Sequence, residues 1–314
     1  MRRILNISLL GLMGVLPLGH AHAAQTDFNV FADARTVTYR FGWIGHDGKP
    51  YKSFFRLARN DVEISAKDFQ PFDNVAASKY VSEVINAYNA QRKRQGVKMD
   101  MAVVGDKVKF SATEMTQADF NAEVKNVKAM RKKAMDTFIA ANLYTKVTDT
   151  SVMPDHKRIA SMYVGRMRTV AESLARSSPS YDPRARINTV LSFLQTLPYD
   201  TLDDRTTSNG AGFVTPIQLL TQNKGDCDSK AVAMASILRN LYPKLRIVMI
   251  YIPGHAFVGL KMDPEPNDVA LKIGKHKFVL AEPVGPARVP LGQIAPDSYA
   301  KLKQYEFSYQ EVPF

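Results

Sequence analysis

Apolar and polar residues alternate from Thr36 to Trp43 and again from Tyr51 to Ala58, with Asp47-Gly48 between them, which predicts a β-hairpin. Tyr80, Val81, Val84, Ile85 and Tyr88 then recur at helical spacing and predict a helix over Ala77 to Arg92. Two short alternating strands are expected within Val97 to Phe110, about a turn at Gly105-Asp106. Met115 to Leu143 returns to the helical period, with Thr116 as its cap. Tyr144 to Pro154 is rich in Thr, Asp and Ser and is read as the boundary between two halves.

Beyond that boundary the pattern predicts a helix from about Asp155 to Arg176, a break at Ser177-Ser178-Pro179, and a helix from Pro183 to Leu197. Thr215-Pro216 has the form of a helix start with proline in the first position, and that short helix runs to Gln222 before an Asn223-Lys224-Gly225 turn. Asp226 or Cys227 caps the next helix, whose residues Ala231 to Leu238 are apolar nearly all round, so the helix is expected to be buried. Arg246 to Ile252 and His255 to Lys261 read as strands joined by Pro253-Gly254, and Lys277 to Ala281 as a third that ends at Glu282-Pro283. The expected fold class is α+β, and there is no internal repeat.

Charge and composition narrow the picture. The chain has 314 residues, 45% hydrophobic and 23% charged, with a formal net charge of +12. Disordered and fibrous classes are excluded, and the length suits one large or two ordinary domains. Met1-Arg2-Arg3, the apolar run from Ile4 to Leu18 and the Ala21-His22-Ala23 site read as a signal peptide over residues 1–23. Its removal takes Arg2 and Arg3 and no acid, so +12 becomes +10. No later run approaches the roughly 20 apolar residues of a spanning helix, so no transmembrane anchor is expected in the mature chain. The expected location is periplasmic or secreted. There the basic charge meets lipid head groups, cell-wall polymers and acidic proteins, and no nucleic-acid partner is expected. Lys125, Lys128, Arg131, Lys132 and Lys133 are read as a solvated basic helix face.

Candidate chemistry gathers between Gly225 and Pro283. Cys227 is the one cysteine, so it has no internal disulfide partner, and it opens a helix whose free amides and dipole favour a thiolate and supply oxyanion donors. Asp226 and Asp228 oppose that shift, so a basic partner is required. After the leader, the histidines are His46, His156, His255 and His276. His46 is read as a solvated loop residue and His276 as the surface start of a strand, whereas His255 begins a buried strand. In steps of two, Glu282 shares a face with Phe278 and Leu280, and His255 with Phe257 and Gly259, so if the strands pair antiparallel, carboxylate and imidazole can be neighbours. One cysteine and scattered histidines form no metal-ligand cluster, and no cofactor is expected.

Gly225-Asp226-Cys227-Asp228-Ser229-Lys230-Ala231, then Gly254-His255-Ala256-Phe257-Val258, then Phe278-Val279-Leu280-Ala281-Glu282-Pro283 resembles the catalytic core of the transglutaminase-like superfamily. The helix ending near Leu197 and followed by Tyr199 fits the same core, and the resemblance covers about Pro179 to Pro290. It implies a papain-like α+β core in which the Cys-bearing helix packs on an antiparallel sheet. Cys227 would be the nucleophile, His255 the base, and Glu282 the third member, where the family more often has Asp. Asp263, before Pro264, is the competitor for that place. Gln218 or Gln222 could add a side-chain donor to the oxyanion site. The resulting organisation is a leader over 1–23, an N-terminal α+β region over 24–150 without assigned role, and a transglutaminase-like domain over 151–314. The implied activity is thiol hydrolysis of peptide or isopeptide bonds through a thioester, on a protein or peptide substrate, with cell-envelope components among the candidates. A protein-cross-linking acyltransferase and a non-catalytic module that binds peptide or cell wall are the alternatives.

Overall fold

The computed structural model describes residues 25–314 except 105, 106, 207, 209, 286 and 287. The expected leader and the Gly105-Asp106 turn lie outside the described residues. Strands β1 (Gln25–Ala32), β2 (Thr36–Ile44) and β3 (Pro50–Ala58) form one antiparallel sheet in that order. Its inner face follows from the alternation: Val37, Tyr39, Phe41 and Trp43 of β2 and Ser53, Phe55 and Leu57 of β3 are buried. β1 was not among the expected strands; it lies on the far side of β2, with Phe28 on Phe41 at a ring separation of 4.9 Å.

Helix α1 (Arg59–Asp68) follows, also without a sequence signal beyond Val62 and Ile64. Helix α2 (Asn74–Arg94) starts at Asp73, whose carboxylate accepts from the Val75 and Ala76 amides. The β4 (Met99–Val104) and β5 (Lys107–Ala112) hairpin and α3 (Gln117–Ala141) complete a lobe with its own small core of Val81, Ile85, Met99, Met101, Val127 and Ala134. Thr116 caps α3 as expected, accepting from the Asp119 amide. The Tyr144 to Pro154 stretch is itself a small hairpin, β6 (Tyr144–Lys146) with β7 (Val152–Pro154).

The helix expected over Asp155 to Arg176 is two helices, α4 (His156–Tyr163) and α5 (Arg168–Ser177), separated by a turn that contains Gly165. Helices α6 (Pro183–Thr196), α7 (Pro216–Gln222) and α8 (Cys227–Leu241) match the sequence pattern. The β2 face packs on α6, where Phe193 meets Phe41 at 5.1 Å and Trp43 at 5.3 Å, and the Trp43 indole N–H donates to Ser192 at 3.1 Å.

The second sheet is antiparallel throughout, in the order β10 (Ala270–Ile273), β11 (His276–Ala281), β9 (His255–Lys261), β8 (Ile247–Ile252), β12 (Ser308–Glu311). Ile247, Met249, Val258, Leu260, Val279 and Ala281 face α8 in the main core. Val248, Ile250, Phe257, Phe278 and Leu280 face the opposite way and pack with Ile294, Leu302 and Phe307, around helix α9 (Pro296–Gln304). Both faces are covered, which is why β8 reads as a continuous apolar run rather than an alternation. The fold is α+β with antiparallel sheets, as expected. No helix of the described residues is long and apolar enough to cross a membrane.

Candidate functional site

Cys227 is placed by the turn that precedes it. α7 ends with Asn223 in the left-handed region at φ 52°, and the chain reverses so that Gly225 bridges Tyr199 in parallel register. The Gly225 amide donates to Pro198 O at 3.2 Å, and the Asp200 amide to Gly225 O at 3.3 Å. A Cβ on Gly225 would sit 2.4 Å from Leu219 Cδ1, so a larger residue there requires the buried Leu219 side chain or the turn to move. Asp226 then caps α8, its carboxylate accepting from the Ser229 amide at 2.9 Å, and Ser229 Oγ accepts from the Val214 amide at 2.9 Å. Cys227 is thus the first helical residue, buried against Ala256 and Val284.

His255 begins β9 opposite Ile252, after a turn in which Gly254 holds φ +69°. β11 pairs Leu280 with Gly259 and Ala281 with Val258. One further step along that register sets position 282 opposite 257, with 255 on the same face. The structure joins them: His255 Nε2 lies 2.6 Å from Glu282 Oε1. Two further donors hold the carboxylate, Ser298 Oγ on Oε1 at 2.6 Å and the Ala295 amide on Oε2 at 2.6 Å. Burial pushes the Glu282 carboxyl up, but the bonds from His255, Ser298 and Ala295 outweigh it and carry it below the usual glutamate value. Glu282 O also accepts from Gln195 Nε2 at 2.8 Å.

With Nε2 committed to Glu282, Nδ1 is the nitrogen that His255 has free for other chemistry. Cys227 and His255 line one cleft of about 580 Å³, together with Asp228, Tyr251 and Gly254. The β6–β7 hairpin contributes Lys146 and Met153, and β12 contributes Tyr309 and Gln310. Sγ of Cys227 is within 3.5 Å of Asp228 Oδ1. Burial, Asp228 and Asp226 push the thiol above its ordinary value, against a lowering by the Ala256 amide that faces the sulfur. Cys227 therefore rests as the thiol. Lys230, one turn into α8, is fully buried with Nζ donating to Leu197 O at 2.6 Å, and burial pushes its ammonium down to about 8.

No protein-family description, curated protein or solved structure matches the chain.

Not every expected site residue comes to the cleft. Gln218 donates to Val62 O at 3.3 Å and Gln222 to Gln218 Oε1 at 3.2 Å, so the side-chain amides proposed for the oxyanion lie on the α7 surface that faces α1, away from Cys227. Asp263 is exposed beyond the end of β9, and the strand from 255 to 261 spans about 20 Å, out of reach of His255. His46 is not a solvated loop residue: it is half-buried, with Nε2 2.8 Å from Gln195 Oε1, the glutamine that also braces Glu282 O. His276 begins β11 as expected.

Sequence reasoning missed two supports. Ser298 and Ala295 belong to the α9 start, which Ala295-Pro296-Asp297 signals in the same way as Thr215-Pro216. His156, at the start of α4, is fully buried beside Asp228, and no local pattern reveals that. Among the described residues, Asp226, Cys227 and Asp228 are the one group of three whose potential metal-ligand atoms lie within 4.8 Å of one another. They are consecutive, and Asp226 is engaged as the helix cap, so the group lacks the spread of ligands that encloses a cation.

Proposed function

We propose that this chain is an exported transglutaminase-like thiol hydrolase that cleaves peptide or isopeptide bonds through a Cys227-His255-Glu282 triad. The observation that carries the reading is the 2.6 Å bond from His255, which lines the same cleft as Cys227, to the buried Glu282. A Cys-bearing helix packed on an antiparallel sheet, with the imidazole on the next strand pair, is also the layout implied by a papain-like core.

In this mechanism His255 Nδ1 takes the Cys227 proton as Sγ bonds to the substrate carbonyl carbon. The Glu282 carboxylate stabilises the imidazolium and holds its ring, while the Cys227 amide at the helix start donates to the developing oxyanion. The imidazolium then protonates the leaving nitrogen as the C–N bond breaks and a thioester remains. Water, deprotonated by His255, attacks the thioester and releases the acid and the thiol. Because the resting thiol is pushed up, proton transfer accompanies attack instead of preceding it. Substrates are proteins or peptides of the periplasm or exterior, cell-envelope components included.

The raised thiol also favours a second reading, a non-catalytic module that holds a peptide or cell-wall strand in the same cleft. Iodoacetamide alkylation of Cys227 across pH, beside a His255→Ala variant, separates the two. General-base assistance predicts a rate at neutral pH at least about tenfold lower in the variant. An identical pH profile in both proteins would sink the triad and leave the binding module.

A further inference from the structure

Asp228 is the acid nearest the candidate nucleophile, and the triad does not use it. Its side chain is 28% exposed in the cleft, with Oδ1 3.5 Å from Cys227 Sγ and Oδ2 3.5 Å from His156 Nε2. His156 has 0% side-chain exposure, and its Nε2 has no hydrogen-bond partner. The ring is fixed by Tyr251, whose hydroxyl is 2.9 Å from Nδ1 and whose ring stacks on it at 5.7 Å. A Tyr251 hydroxyl that donates to Nδ1 leaves the proton on Nε2, directed at Asp228. Burial lowers the His156 basicity, against the pull of Asp228 and Asp155, so this neighbour orients the carboxylate without cancelling its charge.

The other cations nearby are occupied. Lys146 Nζ pairs with Asp136 at 2.5 Å, Lys230 Nζ donates into the core at Leu197 O, and His255 belongs to Glu282. Asp226 adds negative charge or none. A partly exposed carboxylate beside a nucleophile, flanked by a buried imidazole and lacking a counter-cation among the described residues, is built to receive a cation from outside.

We propose that Asp228 anchors a primary ammonium on the substrate, within about one residue of the carbonyl that Cys227 attacks, and that the cleft selects ammonium-bearing peptide acyl groups. An ammonium about 2.8 Å from Asp228 Oδ1 leaves the neighbouring carbonyl, one Cα step of about 3.8 Å away, within reach of Sγ. The same contact offsets one of the charges that, after burial, push the thiol up, so binding of the right substrate also favours the nucleophile. This inference rests on the triad reading.

Matched methanethiosulfonate reagents test it, because the 2-aminoethyl, 2-hydroxyethyl and 2-sulfonatoethyl forms deliver the same bond with positive, neutral and negative charge. Each forms a mixed disulfide with Cys227 and releases methanesulfinate. Rates are normalised to free cysteine and measured on the whole protein. The cationic reagent should outpace the neutral one by about tenfold, and the anionic one should lag both. In Asp228→Asn the cationic preference should vanish and the neutral rate should rise as the thiol is released. Equal rates for all three reagents in the unaltered protein, which need no variant to interpret, would overturn the anchor while leaving the nucleophile intact. A cationic preference that survives Asp228→Asn would overturn it too. A thiol inert to all three would instead remove the triad reading and the anchor with it.

Discussion

Two glutamates are buried among the described residues, and their surroundings differ in kind. Glu123 of α3 is clamped in the α2–α3 lobe by Arg92, at 2.8 and 3.2 Å, and by the Tyr88 hydroxyl at 2.6 Å. Glu282 is held by His255, Ser298 and the Ala295 amide. Each ends below the usual glutamate value although burial pushes it up. Arg92 carries a permanent charge, so the Glu123 pair has one state and holds a lobe together. An imidazole can pass a proton on where a guanidinium cannot, and His255, unlike Arg92, lines a cleft. A buried carboxylate is therefore no sign of a site by itself; the chemistry of its partner decides.

The largest effect should come from the core that the cleft shares with the first sheet. Trp43→Ala removes an indole that packs on Phe193 and Tyr51 and donates to Ser192. We expect a loss of about 3–5 kcal/mol by denaturant titration, with Cys227 becoming evenly accessible to thiol reagents as the fold loosens. An unchanged midpoint would mean that the two halves do not depend on a common core.

The two glutamates should then part company. Glu282→Gln keeps the volume but removes the charge that orients His255, and acyl turnover or base-assisted alkylation should fall by about 10²-fold or more. Glu123→Gln should cost about 1–2 kcal/mol, because Arg92 is left half-satisfied, and should leave Cys227 reactivity as it was. Equal effects of the two substitutions on thiol kinetics would erase the distinction. Both carboxyls sit below their unfolded value, so each contributes stability above the unfolded pKa near 4.5 and loses it as pH falls through the lower folded value.

A last effect, read only in the pH dependence of stability, concerns Lys230. Its folded ammonium lies at about 8 against an ordinary value of 10.5, so between those pH values the unfolded chain binds more protons. Stability should therefore rise with pH in that window, by up to about 1.4 kcal/mol per unit, and plateau outside it. Lys230→Met should abolish the rise, as read from melting curves between pH 7 and 11. A rise that persists in the variant would belong to another group.

Elements with local punctuation were legible in the chain. The α7 proline start, the Thr116 cap and the apolar ring of α8 all appear where the pattern sets them. So does the His255–Glu282 neighbourhood, because strand parity is a local property that pairing preserves. What the sequence hid depends on distant partners. β12 is a polar edge strand, Ser-Tyr-Gln-Glu, which becomes a strand only because β8 offers an open edge. The single long helix expected before Ser177 divides at the turn that contains Gly165, and α4 places His156 beside Asp228, a partner far along the chain. The same holds for His46, whose partner Gln195 lies far along the chain.

The donors on Glu282 lie at the α9 start, and Tyr309 and Gln310 of β12 close one wall of the cleft, all well downstream of Cys227. During synthesis the thiol therefore emerges long before the groups that would align its base. On the proposed reading a nascent chain would hold an idle cysteine, and the chemistry would be armed only when the α9 and β12 segments dock. The order of the residues along the polypeptide acts as a built-in delay, which separates the making of this protein from its use.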